Sequence, residues 1–397
     1  MSKSLSKSRF VEMFGECKDI RKIGDVISIS RGASPRPISA FLTNDPDGVN
    51  WIKIGDVPED SLYITSTAEK ITKEGAAKSR LVKKGDFILS NSMSFGRPYI
   101  LGIDGCVHDG WLILSDFSKC FNEIFLYHAL RSDDIQRQFS GKVNGATVKN
   151  LNSELVKETT IIVPPIKEQI KYSEFVKQLD KLKFILQKMI EKLELLKKSR
   201  FVEMFGNIKE TIPLENCCSL ISDFVASGSF ASLRDNVKYY DKENYAVLVS
   251  TIDFANYFSK DLVYTDKHGY DFLSKTNLYG GEILLSNIGA SIGKVFRVPY
   301  LNKPMTLAPN SIVIKPNDNY TNEFLEYFFS IGRGQDELHV MTTATATPKF
   351  NKTQLRQVPV PKVSKEIQND FSCFVKQLDK SKLILQKQLD DLVGETK

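Results

Sequence analysis

The chain has no run of about 18 apolar residues, the length a membrane-spanning helix requires, and its 42% hydrophobic residues are interspersed with 26% charged ones. Histidine is scarce: the four copies (108, 128, 268, 339) are scattered, with no HExxH spacing, so no metal ligand is expected. The six cysteines (17, 106, 120, 217, 218, 373) form no CxxC pair and no regular framework, which excludes a zinc ribbon and favours small buried thiols. No GxxxxGK[ST] phosphate loop occurs, and Gly289 and Gly293 in NIGASIGK lack dinucleotide-fold spacing. The [ND]PP[YF] motif of amino-methyltransferases is missing, since Pro164-Pro165 stand between Val163 and Ile166. His108-Asp109 could suggest a base and its orienter, but sequence neighbours seldom aim at each other and no nucleophile accompanies them. No catalytic residue is expected. The opening MSKSLSKSRF has basic residues but no apolar segment behind them, unlike a secretory leader, and a cytoplasmic location is expected.

What the chain does have is duplication. KSRFVEMFG at 7–15 recurs at 198–206, an offset of 191. GDFILSN at 85–91 answers GEILLSN at 281–287 at offset 196, and Asn122-Glu123 with Tyr127 answers Asn322-Glu323 with Tyr327 at offset 200. FVKQLDK at 175–181 recurs at 374–380, and ILQK at 185–188 recurs at 384–387, both at offset 199. Offsets that drift between near-identical ends mean that module interiors have gained and lost residues, as loops do and scaffolds do not.

Each module reads as short β runs broken by Gly, Pro, Asn and Asp, among them Val26–Ile29, Phe87–Leu89, Trp111–Leu114, Tyr245–Val249 and Ser311–Ile314. An amphipathic helix follows, expected at 122–139 and from 322 onward with Asn-Glu at its start. Apolar-proline segments, IIVPP at 161–165 and VPVP at 358–361, then close each module. Beyond them the period becomes heptad: Phe175, Leu179, Leu182, Leu186, Met189, Leu193 and Leu196 step by four and three. The second helix carries Phe374, Leu378, Leu385 and Leu392 on the same seam, with Ser381 and Gln388 as polar breaks. The fold class predicted is α+β: two β-rich α/β modules, each followed by a long helix. The two helices form an antiparallel coiled coil with pseudo-twofold symmetry, because each must bury its stripe and the other is the partner of equal length. The expected boundaries are 1–165, 166–206, 207–361 and 362–397. The repeat is permuted around the chain ends, so residues 7–15 should pack near the end of the second helix.

The net charge of +6 suits a polyanion without requiring one. Loops rich in Gly, Ser, Thr and Asn carry Arg and Lys that could take phosphates or base edges. In module one the candidates are Arg31, Ser34 and Arg36, then Asn91, Ser92, Ser94 and Arg97, then Lys142, Asn144 and Lys149. In module two they are Ser227 and Ser229, Asn287, Ser291 and Lys294, then Thr343, Thr345 and Lys349.

GDFILSN/GEILLSN, the IIVPPIKEQ and VPVPKVSKEIQ junctions, the FVKQLDK helices and the SRFVEMFG segments together resemble the specificity subunit of type I restriction–modification systems. The resemblance covers essentially the whole chain. It implies two target-recognition domains, each reading one half of a bipartite, asymmetric double-stranded DNA site, with the paired helices fixing the unread spacer. It also implies two adenine methyltransferase subunits and restriction/translocase subunits as partners. S-adenosylmethionine, ATP and Mg²⁺ then belong to those partners, and this chain holds no cofactor. The alternative from another class is a coiled-coil scaffold that presents two protein-binding modules. An enzyme with an unfamiliar site is weaker still, since no convergent nucleophile–base set is visible.

Overall fold

The computed structural model describes residues 5–57, 62–91, 96–141, 151–342 and 348–394. Two compact units result: Met1–Leu186 with Lys387–Lys397, and Gln187–Gln386. These limits pass through both long helices: residues 166–186 of the first and the end of the second from 387 belong to one unit, and the rest of each to the other.

Unit 1 opens with α1 (Leu5–Phe14). Its central antiparallel sheet contains β1 (Ser28–Arg31), β2 (Phe87–Ser90), β3 (Pro98–Leu101) and β4 (Trp111–Ser115) in the order β1-β4-β2-β3, with Tyr63–Ile64 added parallel to β3. β2 and most of β4 are buried on both faces, which is why they read as unbroken apolar runs and not as alternation. The pleat still sorts them. Phe87, Leu89, Leu112 and Leu114 join one core with the helices, while Ile88, Trp111 and Ile113 join another against the second sheet. That sheet pairs Val49–Ile52 with Gly105–Val107 in parallel and extends on both sides. The helices α2 (Glu123–Leu130), α3 (Asp133–Gly141) and α4 (Ile166–Phe205) follow, α4 continuing beyond the unit.

Unit 2 repeats this plan with β5 (Cys218–Asp223), the short helix α5 (Phe230–Asn236), β6 (Ile283–Ser286), β7 (Val295–Arg297) and β8 (Ser311–Pro316). The sheet order is β5-β8-β6-β7, the same as before. A second sheet again holds one parallel pair, Ala246–Val249 with Met305–Leu307. Then come α6 (Asn322–Ser330), α7 (Gly332–Met341) and α8 (Lys365–Val393).

The expected single helix after each sheet is in fact two helices, broken at Arg131–Ser132 and at Ile331. Their equivalence also corrects the offset of 200 read from identity. Asn122 caps α2 with its side chain and Thr321 caps α6, each with its backbone N–H donating to a buried glutamine, Gln169 or Gln368. The true offset is therefore 199, because a cap accepts Asn or Thr alike and the Asn-Glu match slips by one residue. Phe14 against Phe125 and Phe205 against Phe324 confirm it, each an edge-to-face pair at 4.9 Å.

α1 acts in unit 1 as the last turns of α4 act in unit 2. Phe10 and Phe14 pack on Phe125 and Tyr172. Their repeats Phe201 and Phe205 pack on Phe324 and Phe371. The end of α8 belongs to the same unit as α1, as a repeat permuted around the chain ends requires.

Within unit 2, α4 and α8 run antiparallel: Lys197 Nζ meets Asp379, and Lys382 Nζ lies 2.8 Å from Glu194 Oε1. The seam differs from the heptad reading. Leu179 and Leu186 are buried and Leu193 half-buried, but Leu182, Met189 and Leu196 are 45%, 45% and 48% exposed. The inward line runs one residue later, through buried Val176 and Lys197 and half-buried Lys183 and Ile190, with Phe175 half-buried beside it. A lysine stem can line such a seam when its ammonium is paired, so Lys183 and Lys197, and not Leu182 and Leu196, turn inward beside Leu179, Leu186 and Leu193. On α8 Phe371, Val375 and Leu389 are buried, while Phe374, Leu378, Lys382, Leu385 and Leu392 are half-buried. Ser381 and Gln388 are exposed and do not interrupt the seam.

Candidate nucleic-acid interface

The described candidate residues gather at one end of each central sheet. In unit 1 this is where β1 and β2 finish and β3 and β4 begin. In unit 2 it is where β5 and β6 finish and β7 and β8 begin. Ser92, Ser94, Lys142, Asn144, Lys149, Thr343 and Thr345 lie outside the described residues.

Antiparallel order produces the convergence. Asn91 follows β2, and its N–H donates to Gly110 O in the turn before β4 at 3.0 Å, while its carbonyl accepts from Leu151 N at 2.9 Å. Its Nδ2 donates to Asp109 O at 2.9 Å. Asn287 does the same in unit 2: its N–H donates to Asn310 O, its carbonyl accepts from Phe350 N, and Nδ2 donates to Phe350 O at 3.1 Å. Each asparagine is thus a latch that ties the strand end to the turn before the central strand and to the segment at 151 or 350. Asn91 is 4% exposed, so its role in the fold is to hold loops that surround it.

Around the first latch, Asp109 forms a hub. Arg31 Nε donates to its carbonyl at 3.0 Å, Ser34 Oγ donates to Oδ1 at 2.9 Å, and Arg36 lies 3.7 Å from Oδ2 with a side chain 85% exposed. Burial alone would raise the Asp109 carboxyl; the Ser34 hydroxyl, its own backbone N–H, His108 and Arg31 together hold it below its ordinary value. Burial pushes the neighbouring His108 imidazole down, although Asp109 and Asp56 oppose this. Arg31, Ser34, Arg36 and Asn91 are thereby brought together, presenting two exposed guanidinium groups on a fixed turn. Arg97 starts the next strand at the same end, its N–H donating to Ser90 Oγ at 3.0 Å.

The hairpin that follows each latch is closed alike. Gly96 and Gly293 stand at φ +71° and +77°, where a side chain is strained. Gln136 and Gln335 donate to their carbonyls at 3.1 and 2.9 Å. In unit 2, Ser291 Oγ lies 2.8 Å from Ser286 Oγ, Lys294 is exposed on the hairpin, and Lys349 bridges to Ile288. Ser229 Oγ caps α5 by accepting from Ser232 N at 3.2 Å, and Ser227 Oγ is buried without a hydrogen-bond partner among the described residues. Arg234 gave no sign in the sequence. The His108-Asp109 pair stood out there as a base and its orienter, and the structure makes Asp109 a hub for Arg31, Ser34 and Arg36 instead.

The family model for the type I restriction modification DNA specificity domain matches residues 16–195 and 221–393. A curated relative, the type I restriction enzyme MjaVIII specificity subunit of Methanocaldococcus jannaschii, is 22% identical over 204 residues. That match spans 50% of this chain and 45% of the relative, under half its length. Among solved structures, a chain from work on complex assembly and conformational transition of the type I R-M system superposes with a TM-score of 0.61 at 16% identity, covering 94% of this chain and 92% of that one. The HsdS subunit of Thermoanaerobacter tengcongensis gives a TM-score of 0.48 at 16% identity, over 93% and 90% of the two chains.

Proposed function

Starting from a chain that belongs to the type I restriction modification DNA specificity family, we propose that each unit reads one half of a bipartite, asymmetric duplex site through the loops at its sheet end. The observation that carries this reading is the double convergence: in each unit independently, candidate residues gather at the equivalent end of its own central sheet, fixed by an equivalent asparagine latch. Exposed Arg31, Arg36 and Arg97 in unit 1 and Lys294 and Lys349 in unit 2 supply phosphate contacts or base contacts there. Loops differ between units while the latch does not, as expected if the scaffold is common and the sequence read is not.

The chain performs no covalent chemistry in this reading. Two adenine methyltransferase subunits and restriction/translocase subunits assemble on it in the cytoplasm and bring S-adenosylmethionine, ATP and Mg²⁺. The exposed leucines of α4 are surface for such assembly. A footprint on duplex DNA tests the reading: two protected blocks separated by an unprotected spacer are expected, with affinity falling steeply as salt rises. One continuous, sequence-independent block would contradict it. A salt-insensitive chain whose exchanged module changes a protein partner and not a DNA site would favour the scaffold alternative.

A further inference from the structure

The units differ at one position of their central sheets. Trp111 opens β4 opposite Ser90, and Ser311 opens β8 opposite Ser286. Both follow the turn that receives the latch asparagine, so they are equivalent. The Trp111 indole is fully buried against Tyr99, their rings 5.8 Å apart, in the core between the two sheets of unit 1. Ser311 has no such bulk and lines a cavity of about 480 Å³ with Asn287, Phe224, Phe230, Arg234 and Tyr239.

Three features mark this cavity as built for a ligand. Ser311 Oγ and Asn287 Oδ1 are buried without a hydrogen-bond partner among the described residues, whereas about nine in ten buried polar atoms in folded proteins are satisfied. Phe230 and Tyr239 are 80% and 55% exposed, large aromatic faces left in solvent at its wall. Arg234 is exposed and makes no ion pair among the described residues. We propose that the cavity receives a purine base extruded from the duplex, a proposal that rests on the DNA-reading function above. A purine is a planar fused five–six ring, as the indole it would replace is. Asn287 Nδ2 is held by Phe350 O, which presents Oδ1 as a fixed acceptor. On the edge adenine offers, an exocyclic amine beside a ring nitrogen, the amine would donate to Asn287 Oδ1 and the ring nitrogen would accept from the Ser311 hydroxyl. Phe230 and Tyr239 supply stacking that offsets the cost of leaving the helix, and Arg234 a contact to the flanking phosphate.

The test uses the full chain without partner subunits and duplexes carrying 2-aminopurine at each purine of the half-site read by unit 2. Fluorescence should rise several-fold on binding at one position. Ser311→Trp, which installs the residue unit 1 already carries, should abolish the rise, and Phe230→Ala should lower affinity on the order of tenfold. Unchanged fluorescence at every position, with sequence-specific binding intact, overturns the proposal. Binding of free 2-aminopurine riboside with no signal from any duplex overturns the extruded base as its source. Failure of the unaltered chain to bind DNA at all would instead sink the DNA-reading function, and this proposal with it.

Discussion

At the scale of single residues, His128 shows what one difference between the repeats does. Its counterpart at offset 199 is Tyr327; both pack edge-on against an aromatic ring of a long helix, Tyr172 or Phe371. Burial, then the positive charges of Arg131 and Lys183, push the His128 imidazole down from 6.5 to about 4. The folded state therefore favours the neutral ring. Its contribution is fully present above pH 6.5 and is lost as pH falls toward about 4, a total of roughly 3 kcal/mol for a shift of this size. His128→Phe should flatten the dependence of unfolding free energy on pH between 7 and 4; an unchanged slope would refute the assignment. Lys197, with a side chain 3% exposed, bridges Glu194 and Asp379. Lys197→Ala should lower stability by roughly 2–4 kcal/mol in denaturant titrations, whereas Lys197→Met, which fills the same volume, should stay within about 1 kcal/mol. These roles were illegible in the sequence: a lysine at a heptad edge gives no sign of whether an acid waits across the seam.

At the scale of elements, the heptads announced two long helices correctly but misassigned which residues face inward. Leu182, Met189 and Leu196 looked like core because leucine and methionine usually are; the paired ammonium of Lys197 let the seam pass one residue later. A triple change Leu182→Ser, Met189→Ser, Leu196→Ser should leave thermal unfolding of the isolated chain almost unmoved while weakening co-purification with the methyltransferase subunit. A large drop in unfolding temperature would restore these residues to the core. The identical nonapeptide is legible as a motif, and the structure gives its physical reason: two phenylalanines a helical turn apart close the aromatic cluster of each unit. Phe10→Ala and Phe201→Ala should each cost about 3–5 kcal/mol, in unit 1 and unit 2 respectively, readable as hydrogen exchange that speeds up in one unit only. The latch was half legible. Asn91 and Asn287 stood out by repetition, but a base-reading amide and a loop-holding amide look the same without the carbonyls they meet.

At the scale of the whole molecule, duplication was the most legible property of the sequence, and sheet order, strand register and glutamine-held caps all repeat with it. What could not be read was how the chain is divided. Compact units that each take part of both long helices follow from antiparallel packing, in which one helix's end lies with the other's beginning, and composition shifts mark helix ends instead. The base contacts were illegible for a different reason: the loops that would carry them are where the two copies diverge, so repetition gives no guide. The central claim, that this chain dictates a bipartite DNA site to methyltransferase partners, is tested most directly by mapping methylated adenines across the genome of a host with and without the gene. The account predicts that one motif, two short blocks flanking an unspecified spacer, loses methylation when the gene is removed, and that exchanging the loops of unit 2 changes one block alone. Methylation unchanged by removal of the gene, in a host whose methyltransferase partner remains, would contradict it.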